Sequence, residues 1–252
     1  MKNFIKSYWK LLLFFTVVGL FGGFFVGLYS FDSYSDEIKQ QIIELGMDRT
    51  MVGLITAVQS AGYGLILGAL GIVFSKKIGL WNDDPLLEAK PVFSAIAVSV
   101  LGGAVMIFSD IYFFGNYSQV IMDSYLVKPT VSYMIGAILY GGVIEEVMLR
   151  LFMMSLIALV LHKIFDSGRS SVSDTVFIVA NIISAMLFAA GHIPATVSMI
   201  GLTPMILFRC FLLNGGIGLL FGRMYRKYGI QYAMLAHAGC HIVSKLIWIL
   251  FI

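Results

Sequence analysis

Apolar runs of span length, each closed by a few charged or turn-forming residues, follow one another along almost the whole chain. A helix that crosses the hydrocarbon core of a bilayer takes about 20 such residues. Runs of that kind cover residues 11–30, 51–75, 91–114, 131–165, 175–192, 204–224 and 231–252. The pattern predicts an all-α, polytopic transmembrane helical bundle of seven spans around a polar cavity, or eight if 118–127 also enters the membrane. Gly19, Gly23 and Gly27 recur at four-residue intervals in the first run, which lets a neighbouring helix approach closely. Residues 32–49 set Ile38, Ile42, Ile43 and Leu45 among acids and bases, the period of a short amphipathic helix lying at a membrane surface. The polar loop 81–90, with Asn82, Asp83, Asp84 and Pro85, belongs outside the hydrocarbon, and Pro194 is expected to stop the fifth span.

Composition agrees. Of 252 residues, 59% are hydrophobic and 12% charged, against roughly 25% charged in a soluble globular domain. The net charge of +3 comes from lysines and arginines flanking apolar runs, which suits loops beside anionic lipid and not a nucleic-acid groove. Placing the amino terminus inside puts Lys2, Lys6, Lys10, Lys76, Lys77, Lys90, Lys163, Arg169, Arg223, Arg226 and Lys227 on the inner side and Lys39, Arg49 and Lys128 on the outer. The asymmetry predicts a cytoplasmic amino terminus and an uncleaved first span. Cys210 and Cys240 both fall within apolar runs without metal-type spacing and are expected to be reduced and packed.

Polar residues in the middle of these runs carry the functional signal. A carboxylate at mid-bilayer costs at least about 2.5 kcal/mol and usually faces a bundle interior or a wet cavity. Glu145 and Glu146 hold such positions. Glu146 and Arg150 stand at i,i+4, where opposite charges meet on a helix, so Glu146 is expected to be paired. Glu145 points about 100° away from it and is the freer group. His192, His237 and His241 also lie within or at the ends of apolar runs, the last two at i,i+4 on one helix face. His162 adjoins Lys163 at a helix end and is given no role. Asp110 is expected at an interface, and Asn181 and Asn214 as interhelical hydrogen-bond partners. Phe188 stands one turn before His192.

Peptide hydrolysis needs an activated water, a group that takes and returns its proton, and donors for the developing oxyanion. Glu145 suits the base, His192 the positioning of the water, and His237 and His241 the oxyanion. A zinc version draws on the same candidates, Glu145, His192, His237 and His241, with an open position for water. The His-Glu-x-x-His helix, Gly-x-Ser-x-Gly, Walker loop and Gly-x-Gly-x-x-Gly motifs are all absent.

Glu145-Glu146-Val147-Met148-Leu149-Arg150, then Phe188-Ala189-Ala190-Gly191-His192, then His237 on the last helix, together resemble the CPBP family, the CAAX proteases and bacteriocin-processing enzymes also called Abi. The resemblance covers about residues 131–252, so the chain reads as amino-terminal spans over 1–130 and a CPBP-like core over 131–252 in one membrane domain. It implies an intramembrane endopeptidase in a bacterial cell membrane, acting on peptide or protein substrates there, with no nucleic-acid partner. Within it Glu145 matches the catalytic glutamate, His192 the water-positioning histidine and His237 the histidine near the oxyanion. Glu146 and Arg150 match the supporting pair. Both a metallopeptidase and a metal-independent glutamate mechanism are described for the family, which leaves zinc open. His241 departs from the pattern, where asparagine is usual. Two other classes use similar ingredients, a non-enzymatic immunity or scaffold protein and a proton-coupled transporter. Intact Glu145 and His192 count against the first, and the lack of a convincing internal repeat against the second. One geometric difficulty follows from the boundaries: His192 falls at the outer end of its helix, whereas His237 falls about 12 Å from an inner end.

Overall fold

The structure is a computed structural model that describes residues 2–83, 87–169 and 171–252. Asp84 and Pro85 of the polar loop lie outside the described residues. Every regular element among those described is helical, and none is a strand. In chain order these are α1 (Lys2–Ser33), α2 (Asp36–Glu44), α3 (Arg49–Lys77), α4 (Ala89–Tyr112), α5 (Gln119–Tyr125), α6 (131–165), α7 (Asp174–Gly191), α8 (Ile193–Met199), α9 (Pro204–Tyr228) and α10 (Ile230–Phe251).

Among the described residues six helices are long and apolar enough to cross a membrane: Phe4–Ser33, Arg49–Lys77, Ala89–Tyr117, Asp174–Met199, Pro204–Tyr228 and Ile230–Phe251. The remaining expected span, α6, is helical from end to end but is not one of those six, and it is the helix that carries Glu145, Glu146 and Arg150. The candidate eighth span, 118–127, does not form a helix of span length. α5 has seven residues, a rise of about 10 Å against the roughly 30 Å of a hydrocarbon core. Within the expected amphipathic segment a short helix, α2, forms, capped by the Ser35 side chain accepting from the Ile38 N–H and burying none of its residues.

α6 stands at the centre of the bundle because its polar groups cannot face lipid. Ile144, Val147, Leu151, Met154 and Ala158 are all fully enclosed, with α1, α3, α7, α9 and α10 packed around the helix. The backbone takes wide π-type turns over Ala137–Glu145 and Val147–Met154, a geometry that recurs at functional positions. Polar tethers hold the ring of helices in place. The Ser184 hydroxyl donates to the Leu149 carbonyl at 2.7 Å and the Asn181 amide to the Leu219 carbonyl at 3.0 Å. Asn214 differs from expectation, donating to the Cys210 carbonyl one turn back on its own helix at 3.0 Å. Both cysteines are free and buried.

Two boundary expectations change. Pro194 does not end the fifth span. It sits in the first turn of α8, where a missing N–H leaves nothing unpaired, and the His192 and Thr196 N–H groups donate to the Ala189 and His192 carbonyls at 3.0 and 2.9 Å. The run therefore continues seven residues to Met199, about 10 Å further, and His192 lies within the span instead of at its edge. That removes the conflict in depth with His237. Asp110, expected at an interface, is instead buried and clamped by Arg209, with both contacts at 2.6 Å; an isolated carboxylate in that position needs a counter-ion.

The glycine stripe of α1 is the seam with α3. A methyl group at Gly19 meets the Ser60 carbonyl oxygen at 2.5 Å, one at Gly23 overlaps the Ser60 side chain, and one at Gly27 meets Gly53 Cα at 2.7 Å. Gly23→Leu is accordingly expected to destabilise the detergent-solubilised protein by about 1–3 kcal/mol in thermal or denaturant unfolding, from overpacking. Gly62→Ala, which meets nothing within 4 Å, is expected to leave stability unchanged or slightly raised.

Candidate active site

Glu145, Glu146 and Arg150 from α6, Phe188 and His192 from α7, and His237 and His241 from α10 converge on one region. The sequence-predicted set is thus brought together, and Glu145, Phe188, His192, His237 and His241 of it line a cavity of about 590 Å³.

The cluster is built outward from its most buried charge. Glu146 is completely enclosed, and Arg150 is 1% exposed. Nη1 of Arg150 lies 3.0 Å from Oε1 of Glu146, and Nδ1 of His237 lies 2.8 Å from the same oxygen. The guanidinium is further held by donation from Nη2 to the Gly218 carbonyl at 3.0 Å and by the ring faces of Phe188 and Phe221, 4.6 and 5.5 Å from its central carbon. Gly218 has to be bare for this, since a methyl group there meets Nη2 at 2.7 Å. Glu146 is therefore spoken for, as its spacing predicts.

Glu145 is not. Among the described residues its oxygens have no partner within ordinary hydrogen-bond distance, and they face Nε2 of His192 and Nε2 of His237, each 3.8 Å away. Both imidazoles are oriented from behind. His192 places Nδ1 2.9 Å from the Phe188 carbonyl, which can only accept, so the proton is on Nδ1 and Nε2 presents a lone pair. His237 is fixed in the same sense by Glu146 and is stacked on Phe221 at 4.4 Å. Phe188 meets both rings edge-on, at 4.7 and 5.9 Å. This one residue thus carries His192 on its carbonyl, Arg150 on its face and two imidazoles at its edge.

His241 stacks on His237 at 5.0 Å, and its Nε2 lies against Gly141, beside Glu145. A methyl group at Gly141 meets that nitrogen at 2.7 Å and Oε2 of Glu145 at 3.8 Å. Its other nitrogen, Nδ1, is 3.2 Å from Nζ of Lys245. Lys245 is a site residue that sequence reasoning misses, although it stands at i,i+4 from His241 in the middle of an apolar span. Arg209 is missed too, and it lines the same cavity.

The donor set is chemically similar to a catalytic zinc shell. Among the described residues no group of three His, Cys, Asp or Glu side chains is disposed to hold a metal ion.

His162 turns Nδ1 toward Asp166 at 3.7 Å near the end of α6, away from this cluster.

Two substitutions test the architecture. Arg150→Met strands the Glu146 carboxylate and is expected to cost on the order of 3–5 kcal/mol, read as a large drop in the unfolding midpoint. Gly141→Ala drives a carbon against His241 and is expected to lower any hydrolytic activity at least tenfold with a much smaller loss of stability, a displacement of about 1 Å at a catalytic group being worth up to 10²-fold.

Residues 127–243 match the family model described as Rce1-like, type II CAAX prenyl endopeptidase Rce1-like. No curated protein and no solved structure matches the chain significantly. The matched segment runs from just before α6 almost to the end of α10 and contains every residue of the cluster described above except Lys245. Over residues 127–243 the chain is thus similar to the Rce1-like type II CAAX prenyl endopeptidases, the family group that its motifs resemble.

Proposed function

We propose that the protein is an intramembrane endopeptidase in which Glu145 activates a water held between its own carboxylate and the imidazoles of His192 and His237. The observation that carries this reading is the asymmetry of the glutamate pair: Glu146 is neutralised by Arg150 and His237, whereas Glu145 faces two imidazole nitrogens across a gap of 3.8 Å on either side. Three acceptors around one gap call for a donor between them, and a water molecule bridges groups at such separations.

In this mechanism Glu145 takes a proton from the water as its oxygen attacks the scissile carbonyl, and later gives that proton to the departing amine. The Nε2 lone pair of His192 accepts the second water hydrogen and aims the oxygen. His237 presents an acceptor in its neutral form, because Glu146 has claimed the proton on Nδ1, and it completes the surroundings of the water. The donor role toward the oxyanion then falls to His241, the ring that lies against Gly141. The rest of the cavity is lined mainly by apolar and aromatic side chains, Val26, Tyr29, Met106, Ile121, Met199 and Trp248 among them, with Lys128 and the paired Asp110 and Arg209 as its charged groups. Prenylated carboxyl-terminal peptides fit both that lining and the description of the matched family; bacteriocin precursors and membrane signalling proteins are the other substrate classes compatible with the motifs.

Glu145→Gln keeps the shape and removes the base. In vesicles of purified protein presented with a quenched, prenylated carboxyl-terminal peptide, kcat is expected to fall by about 10²–10⁴-fold while unfolding stays as in wild type. His192→Ala is expected to fall similarly. Wild-type turnover in both variants rules the mechanism out. Treatment with a strong chelator, with residual metal quantified by elemental analysis, is expected to leave activity intact. A loss that zinc alone restores replaces the glutamate mechanism with a metal one.

A further inference from the structure

His241 is an ambiguous donor. A neutral imidazole carries one proton, and the ring serves an oxyanion only if that proton is on the nitrogen facing the reaction space. Its neighbours decide which nitrogen that is. Nε2 lies against Gly141 beside Glu145, while Nδ1 points along α10 to Nζ of Lys245, 3.2 Å away. Lys245 is 5% exposed and lies 4.4 Å over the centre of the Tyr133 ring. A ring face attracts an ammonium and gives a neutral amine little, and an ammonium has three N–H donors and no acceptor.

Building on the endopeptidase reading above, we infer that Lys245 is a positioning residue, whose ammonium donates to His241 Nδ1 and so holds that ring with its proton on Nε2, facing Glu145 and the reacting carbonyl. The arrangement gives this chain a consistent logic. An asparagine offers its amide N–H groups without any choice of tautomer, whereas a histidine in that place offers a donor only when something else occupies Nδ1. Lys245, one turn further along the same helix, is that occupant. Three imidazoles then share one carboxylate with a defined division of labour: His192 and His237 carry their protons on Nδ1 and face Glu145 with lone pairs, and His241 carries its proton on Nε2 and faces the reaction space with a donor.

The direct test needs no substrate. Protein labelled with ¹⁵N-histidine, in lipid nanodiscs at neutral pH, gives a tautomer for each ring from its nitrogen shifts and its couplings to the ring carbons' protons, with His241→Asn identifying the His241 signals. The expected spectrum has a bare, pyridine-type Nδ1 and a protonated Nε2 at His241, and Lys245→Met is expected to shift the signals toward the opposite tautomer. A protonated Nδ1 at His241 in the wild-type protein overturns the inference, even if the Lys245→Met protein proves too unstable to record.

Kinetics on the vesicle-reconstituted enzyme with the same quenched prenylated peptide supply the second arm. Lys245→Met is expected to lower kcat by about 10–100-fold with little change in KM, on the scale of losing an oxyanion donor. In a His241→Asn background the same change is expected to cost no more than about twofold, because the amide has no nitrogen for Lys245 to occupy and the two sites then no longer couple. Equal losses in both backgrounds reduce Lys245 to a packing residue. Inactive Glu145→Gln with a protonated Nδ1 at His241 sinks this inference alone; fully active Glu145→Gln sinks the reading of the site on which it rests.

Discussion

A carboxylate enclosed on all sides within an apolar bundle is the constraint from which the rest follows. Glu146 has no solvent contact, and an unpaired charge in that setting costs several kcal/mol. The chain meets it with a guanidinium one turn along the same helix and an imidazole from the last helix. Each partner then fixes something else. Arg150 ties α6 to Gly218 of α9 and to the face of Phe188, so three helices meet at one cation. His237, donating its Nδ1–H to Glu146 in a hydrogen bond, turns its other nitrogen toward Glu145. One ion pair thereby joins α6, α7, α9 and α10 and leaves the neighbouring Glu145 without a close partner among the described residues.

The same economy explains why a helix loaded with charge belongs in a membrane protein at all. α6 is shielded by the helices around it, with α1 and α3 closed tightly on each other through bare glycine contacts on one side and α4 joined to α10 on the other, where the Ser99 hydroxyl donates to the Ala236 carbonyl at 3.2 Å. The amino-terminal spans, which the motif resemblance does not reach, contribute cavity wall through Val26, Tyr29 and Met106. Farther along that cavity Asp110 and Arg209 neutralise each other, and the Tyr125 hydroxyl donates to Asp110 at 2.9 Å. At Glu146 and at Asp110, a buried carboxylate is thus accompanied by a counter-charge.

Much of this is legible along the chain because hydrophobic length, helical spacing and charge cost are local properties. Glu146 with Arg150, the freer Glu145, the shared face of His237 and His241, and the glycine stripe all follow from i,i+4 geometry. What is not legible depends on neighbours distant in sequence or on backbone continuity. Pro194 reads as a stop because proline breaks helix interiors, but at the first turn of a new helix it does no harm, and the depth of His192 turns on that difference. Asp110 reads as interfacial from its place in one span; its partner Arg209 is 99 positions away. Lys245 is within reach of the spacing rule that pairs His237 with His241, carried one turn further. The orientation of His237 is beyond local spacing, since it rests on Glu146, a carboxylate 91 positions away that tertiary packing supplies.

An experimental map of the protein in lipid, at a resolution that shows ordered water, tests the central claim most directly. The account predicts Glu146 lodged between Arg150 and His237, with Glu145 turned into the cavity and a solvent peak within hydrogen-bonding reach of both its carboxylate and Nε2 of His192. Arg150 swung over to Glu145, or the imidazoles of His192 and His237 directed away from that carboxylate, contradicts it.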